Sequence, residues 1–421
     1  MEYDLNYVRE NRDALIDSVK KRNLNVDIDR VITLYDDIKR RRLEVDKLRH
    51  KRNETSKNFK SQTEEDKKEM KELREKVALE ETEIQKETEE AYSIFLNIPN
   101  MLSTETPIGR DSSGNKEIKK VGEIKKFDFE VKSHDEFALE KSLLDMKRAA
   151  KVTGSRFYYL KGKIVKLALA LEMYAIEKLS SKGYIPVEPP FMLKKEAFMG
   201  IAAVEDFEDA LYKVTGKEDD SNEERYLIAT AEHPLGTMFM NEAIPEGDLP
   251  RKFVGVSPSF RREAGSHGKD TKGIFRVHQF DKIEQFIFCK PEDSEKFLKE
   301  TLSNSEEIWQ ELGIPYHILS MCSGDISRPT YKKFDIEGYM YAQKEYRELG
   351  SFTNCTDWQS RRLNIKYVDK HGEKRYLHTV NGTAIPIERA LVAILEAYQT
   401  KDGKLNVPKP LQKYCGFESI E

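Results

Sequence analysis

The chain has little cysteine, and it is poorly spaced for cross-linking. Cys289, Cys322, Cys355 and Cys415 are the only four in 421 residues, and they form no CxxC pair. That pattern excludes a disulfide framework or a cysteine zinc site and predicts reduced thiols in a cytosolic protein. No apolar run approaches membrane-spanning length, so no membrane partner is expected. The opening "MEYDLNYVRENRDALIDSVKK" lacks the apolar core of a signal peptide. Strong net charge is missing too. The 71 basic and 75 acidic residues leave −4, so a nucleic-acid partner requires a local basic patch. No GxxxxGK[ST] run occurs, which excludes a P-loop enzyme.

The length allows two or three domains. From about Asp4 to Arg22 the pattern predicts one short amphipathic helix. From Asp27 to about Phe59 there is no proline or glycine, and Val31, Ile38 and Val45 recur every seven residues. Leu34 and Leu48 share that seam, with Arg41 between them. After the polar break "KSQTEED", Met70, Val77, Ile84 and Ala91 again repeat every seven up to about Phe95. Two heptad helices joined by a short turn predict an antiparallel helical hairpin. About 33 residues at helical rise extend roughly 50 Å.

The two helices differ in charge. Arg30 to Lys60 holds eleven basic and five acidic residues; Glu64 to Glu90 holds six basic and twelve acidic. One reading is that the helices simply attract each other. The sharper one is that "KRRR" (Lys39, Arg40, Arg41, Arg42) and "RHKR" (with Arg49, Lys51, Arg52) track phosphates.

"IPNMLSTETPIGRDSSGNKE", Ile98 to Glu117, predicts a linker. Beyond it, Ile164 to Leu179 predicts a strongly amphipathic helix. Short apolar runs such as "RKFVGVSPSF" and "KKFDIEGYM" follow. Neighbouring strands with separate helices predict an α+β domain built on an antiparallel sheet.

"FRREAGSHGKDTKGIFRVHQFDKIE", Phe260 to Glu284, predicts a long β-hairpin. Side chains alternate along a strand. Ser259, Arg261 and Glu263 then share one face. Arg276, His278, Phe280, Lys282 and Glu284 share one on the return, with Val277, Ile283 and Ile287 opposite. Arginines that clamp phosphates, a ring that stacks a base and carboxylates that accept its amino group suit a nucleoside triphosphate. An ordinary exposed sheet face is the competing reading, but it leaves Phe280 without a purpose.

The same stretch resembles the second signature motif of class II aminoacyl-tRNA synthetases. In wording it is most similar to the seryl-tRNA synthetase family, an archaeal-like form in particular. "VTGSRFYYLKG" from Val152, "KGYIPVEPP" from Lys182, "TAE" at Thr230 to Glu232, "NCTDWQSRRLNIKY" from Asn354 and "NGTAIPIERALVAILEAYQ" from Asn381 resemble further family motifs in order. The resemblance implies a tRNA-binding domain with a coiled-coil arm over 1–105 and a class II catalytic domain over 106–421. It implies a cytosolic homodimer that joins L-serine to tRNA(Ser) with ATP and Mg2+, and it leaves tRNA(Sec) open.

Carried over residue by residue, Arg261 and Arg389 are the catalytic pair. ATP falls to Arg261, Arg262, Glu263, Arg276, Phe280, Glu348, Leu349, Gly350, Ser351 and Arg389. Within that set Arg261 holds the α-phosphate, Glu263 the adenine amino group, and Arg276 with Arg389 the outer phosphates. Glu348 and Ser351 are the implied magnesium ligands. Serine falls to Thr230, Ala231, Glu232, Arg261, Glu284 and Thr383. Thr230 has a plainer reading, as the cap of the helix entered at Pro234. His278 and His378 read as structural. Gly350, Phe352, Pro386 and Glu388 depart from the family pattern. Two other functions remain: a ligase charging a non-tRNA acceptor, against which the arm argues, and a non-catalytic tRNA-binding paralogue, which should have lost phosphate arginines or metal ligands.

Overall fold

The computed structural model describes residues 5–57, 63–203, 210–215, 224–263 and 272–421. It divides into two compact units, with the break between Pro99 and Asn100.

The first unit is helical. The single helix expected over 4–22 is two, α1 (Leu5–Glu10) and α2 (Arg12–Lys21). Asn11 separates them, its backbone out of helical geometry at φ −109° and ψ 16°; both its backbone N–H and its side-chain amide donate to the Tyr7 carbonyl, at 3.0 and 2.9 Å. Then come α3 (Ile28–Lys57) and α4 (Glu64–Asn97), the expected pair of long helices. Val31, Leu34, Ile38 and Val45 are buried on α3, and Leu73, Val77 and Ala91 on α4. Met70 and Ile84 are half-buried. Of the predicted turn, Phe59 and residues 60–62 lie outside the described residues.

Opposite charge aligns the two helices. Arg30 meets Glu90 at 2.7 Å, Arg49 meets Glu81 at 2.6 Å and Lys51 meets Glu69 at 2.7 Å. Arg41, which interrupts the seam, bridges Glu80 at 2.7 Å and Glu87 at 3.0 Å. Each exposed pair is worth only about 0–1 kcal/mol, so the apolar seam holds the hairpin and the charges set its register.

The predicted linker is not loose. From Asn100 on it is tied into the second unit. The buried Asn100 amide donates to the Pro329 carbonyl at 2.8 Å and the Cys355 carbonyl at 2.7 Å. Asn115 accepts from the Cys322 N–H at 2.9 Å. The short polar side chains that read as linker also satisfy buried backbone groups.

The second unit is built on an eight-stranded sheet. In chain order its main elements are β1 (Lys116–Val121), α5 (Lys163–Ser180), β2 (Ile185–Val187), α6 (Lys195–Ile201), α7 (Glu232–Thr237), β3 (Arg251–Phe260), β4 (Gln279–Cys289) and α8 (Ser294–Glu311). After these come β5 (Tyr316–Ser320), β6 (Lys332–Met340), β7 (Glu345–Thr356), α9 (Trp358–Leu363), β8 (His378–Pro386) and α10 (Ile387–Ala397). The sheet order is β1-β5-β6-β7-β8-β4-β3-β2. Every pair is antiparallel except β2 with β3.

On α5, Ile164, Leu167, Leu171 and Leu179 are fully buried, as the amphipathic pattern requires. Val165, Leu169 and Met173 recur every four residues on the outside and are exposed, as is Ile185 on the edge strand β2. Among the described residues no helix is long and apolar enough to cross a membrane.

Candidate active site

The predicted hairpin is shorter than its sequence suggests. Ser259 pairs with Phe280, Ser257 with Lys282 and Gly255 with Glu284, in the expected register. The ladder ends at Phe260 and Gln279. Arg261, Glu263, Arg276 and His278 lie just beyond it, so strand parity does not place them. Local bonds do: the Arg261 N–H donates to the His278 carbonyl at 2.9 Å, and His278 Nδ1 lies 2.8 Å from the Arg261 carbonyl. Glu263 adopts a left-handed φ of 51°, which turns the chain out of the strand. Residues 264–271 of the hairpin tip lie outside the described residues. Val277, Ile283 and Ile287 are buried in the core, as expected.

A cleft opens here, lined by Arg261, Glu263, Phe275, Arg276, Phe280 and Arg389 among others. The Arg261 guanidinium sits 5.1 Å from the Phe280 ring centre, and its Nε donates to the Ala229 carbonyl at 3.2 Å. Burial and the nearby Arg389 depress its pKa. Arg276 pairs with Glu263 at 2.6 Å. Arg262 is exposed, held through its N–H to the Ala210 carbonyl at 2.8 Å.

Arg389 enters on the first turn of α10, straight after the buried strand β8. Its Nη1 donates to the Glu348 carbonyl at 2.8 Å and lies 3.4 Å from the Glu348 carboxylate. Arg389 pulls that carboxyl down to about 2. Phe275, unassigned from sequence, lies under both Arg347 and Arg389, at 4.4 and 4.9 Å. Cation–π contacts of this kind hold arginine heads in place.

Glu348 and Ser351 stand three apart on β7, which in a regular strand puts them on opposite faces. A bulge corrects this. Glu348 pairs with Glu337 and Gly350 with Ile336, so Leu349 is the extra residue. Leu349 turns into the core, and the Ser351 hydroxyl comes 3.4 Å from Glu348 Oε1. Asp335 faces Ser351 across the ladder. It is buried, its Oδ2 lies 3.2 Å from Lys333, and its Oδ1 has no hydrogen-bond partner. Burial raises it to about 6.

Hard oxygen donors of this set fit magnesium, which keeps waters and takes substrate phosphates as ligands. Among the described residues no cluster of three His, Cys, Asp or Glu could hold a metal alone. The arrangement suits an ion that arrives with a nucleotide.

The residues assigned to serine lie on and beside the same strands. Glu284 on β4 and Thr383 on β8 are paired and buried. Glu284 lies 2.7 Å from Lys282, which strand alternation puts on the same face and to which sequence reading gave no role. Burial pushes the Glu284 carboxyl up, and Lys282 opposes that shift. Thr230 and Ala231 are buried where α7 begins, and the Thr230 hydroxyl accepts from the Glu232 N–H at 3.2 Å. Thr230 is not the cap expected of it: Ala231 holds the N-cap position, and the Thr230 bond reaches only the first helical residue, an ST-turn just before the helix. Glu232 is pushed up to about 7 by burial and by the charge of Glu284.

The departures from the family pattern have structural reasons. A Cβ at Gly350 would stand 3.0 Å from the Thr383 Cβ. Phe352 points into the core and is fully buried. Pro386 precedes the first turn of α10. Glu388 is buried, accepting from the Asp281 N–H at 2.9 Å and from the Tyr158 hydroxyl. His378 bonds Ser294 at 2.9 Å.

Comparison with known proteins identifies the family. The family description "tRNA synthetase class II core domain (G, H, P, S and T)" matches residues 212–398, and "Seryl-tRNA synthetase N-terminal domain" matches residues 3–102. The serine–tRNA ligase of Methanocella arvoryzae is 41% identical over 99% of this chain and 100% of its own. The crystal structure of seryl-tRNA synthetase from Pyrococcus horikoshii complexed with ATP superposes with a TM-score of 0.86 at 39% identity, covering 100% of this chain and 99% of that one. The Naegleria fowleri cytoplasmic serine–tRNA ligase in complex with AMP gives 0.83 at 34%, over 99% and 98%. This chain belongs to the seryl-tRNA synthetase family.

Proposed function

We propose that the cleft between Arg261 and Arg389 forms seryl-adenylate from ATP and L-serine, and that the seryl group then passes to tRNA(Ser). The chain is a serine–tRNA ligase. The observation that carries the residue assignment is that Phe280, set among the half-buried arginines of the cleft, and the buried Glu284, paired with Thr383, stand on one face of β4.

Phe280 stacks the adenine and Glu263 accepts from its amino group, with Arg262 and Gly350 lining the nucleotide; Leu349, turned into the core, offers it only backbone. Arg261 holds the α-phosphate while Arg276 and Arg389 hold the outer ones. The serine carboxylate attacks the α-phosphorus in line, and pyrophosphate leaves. No protein nucleophile is required, so rate comes from positioning and from preorganised positive charge. Glu348 and Ser351 would hold a magnesium ion, which neutralises phosphate charge when bound. Glu232 and Glu284 take the serine ammonium, and Glu284 with Thr383 takes its hydroxyl. Alanine is rejected because those buried polar groups are then left unpaired.

The hairpin of α3 and α4 is the tRNA arm, within an N-terminal domain expected over 1–105. Lys39, Arg40, Arg42 and Arg52 carry the contact with the RNA backbone, beside Arg41, Arg49 and Lys51, which also tie the helices together. The exposed stripe Val165, Leu169, Met173 suits a second copy of the chain, giving a homodimer. Four buried cysteines, none in a disulfide, agree with a cytosolic location. Use of tRNA(Sec) is a further possibility for the same arm. Amino-acid-dependent ATP–pyrophosphate exchange tests this reading: serine alone among the twenty should support robust exchange, and preference for another amino acid would overturn it.

A further inference from the structure

Gln359, on α9, is fully buried and touches three other elements. Its Oε1 accepts from the Thr379 hydroxyl of β8 at 2.6 Å. Its Nε2 donates to the Ile201 carbonyl, at the end of α6, at 3.1 Å, and to Glu232 Oε1, on α7, at 3.0 Å. The orientation of this amide is fixed by chemistry. A backbone carbonyl can only accept, so the nitrogen must face Ile201. Both amide hydrogens are then committed, one to Ile201 and one to Glu232. The oxygen is left for Thr379, whose hydroxyl is fully buried and donates to it.

We propose that Gln359 is a positioning residue of the amino-acid site: held by Thr379 at its oxygen and by the Ile201 carbonyl at its nitrogen, it grips one oxygen of the Glu232 carboxylate and leaves the other to the ammonium group of the incoming α-amino acid. The inference rests on the reading of Glu232 as a serine ligand. A flipped amide would present its oxygen to the carboxylate and repel it. Thr379 therefore acts on serine binding without touching serine.

The test uses the full-length enzyme and measures KM for L-serine and for ATP separately, with calorimetric binding of L-serine alone as a second readout. Thr379→Val keeps the volume and removes the donor; Gln359→Leu removes the grip. Each should raise the serine KM about tenfold, the scale of one hydrogen bond to a charged group, and leave the ATP KM within about twofold. Thr379→Ser keeps the hydroxyl and should restore the serine KM. Glu232→Gln is the control for the underlying reading. If it leaves serine KM unchanged, Glu232 is no ligand and the site reading itself falls. If Glu232→Gln raises serine KM while Thr379→Val and Gln359→Leu do not, this inference alone is overturned. Equal rises in both KM values for Thr379→Val also overturn it, because a purely structural role predicts that pattern. Should Gln359→Leu fail to fold, the Thr379 pair decides by itself.

Discussion

The Glu348 carboxylate and the Ser351 hydroxyl lie 3.4 Å apart on one face of β7, although strand alternation separates residues three apart. The bulge at Leu349 brings them together. If the pair carries the metal of the reaction, Glu348→Gln should cut pyrophosphate exchange by about a hundredfold or more. Ser351→Ala should lose less and recover as magnesium is raised. Unchanged exchange by both variants at every magnesium concentration would remove the metal role.

Arg261 and Arg389 both line the same cleft, and each lowers the Glu348 pKa through its charge. Arg261→Ala and Arg389→Ala should each abolish adenylate formation in a folded protein. Losing one preorganised charge in such a site costs about 3 kcal/mol of transition-state stabilisation. Circular dichroism checks the fold and exchange checks the chemistry. Near-normal exchange by a folded variant contradicts the assignment.

Serine affinity should depend on pH through Glu232. Burial and the charge of Glu284 raise its carboxyl to about 7, so the free enzyme holds it partly protonated near neutrality. Lys282, Arg261 and Gln359 oppose that shift. A bound ammonium favours the ionised form. Serine KM should therefore fall as pH rises from about 6 to 8, by up to about tenfold per proton-linked unit, while ATP KM stays flat. Glu232→Gln should flatten the serine profile. A serine KM that is level across this range in the native enzyme would refute the coupling.

On the arm, charge substitutions should separate two roles. Lys39, Arg40 and Arg42 are exposed on α3, whereas Arg41 is turned to Glu80 and Glu87. Replacing the outward three by glutamine should raise the KM for tRNA and flatten its salt dependence, since fewer counterions are released. Serine activation should be unaffected. Arg41→Gln should instead lower the thermal stability of the hairpin, by about 1 kcal/mol. Equal tRNA affinity and equal salt slope for the triple variant and the native protein would assign all of these charges to the hairpin's own stability.

Much of the molecule was legible in the sequence. The heptads of α3 and α4 determine the hairpin, because a seven-residue apolar repeat can be buried only against a second such helix. Alternation within β3 and β4 determines the register that sets Phe280, Lys282 and Glu284 on one face. The motifs in order determine the family. Tertiary structure decided what local patterns cannot carry. A bulge depends on the partner strand, so nothing in "ELGSF" shows that Glu348 and Ser351 converge. The fastening of Asn100 depends on which distant carbonyls lie within reach of its amide. The charges at Arg41, Arg49 and Lys51 read equally well as RNA contacts until Glu80, Glu81, Glu87 and Glu69 lie opposite them. Gln359 looks like any polar residue in "NCTDWQSRR". Only folding brings Ile201, Glu232 and Thr379 around it, because hydrogen bonds between residues distant in sequence follow from the packing of the elements and not from the spacing of the letters.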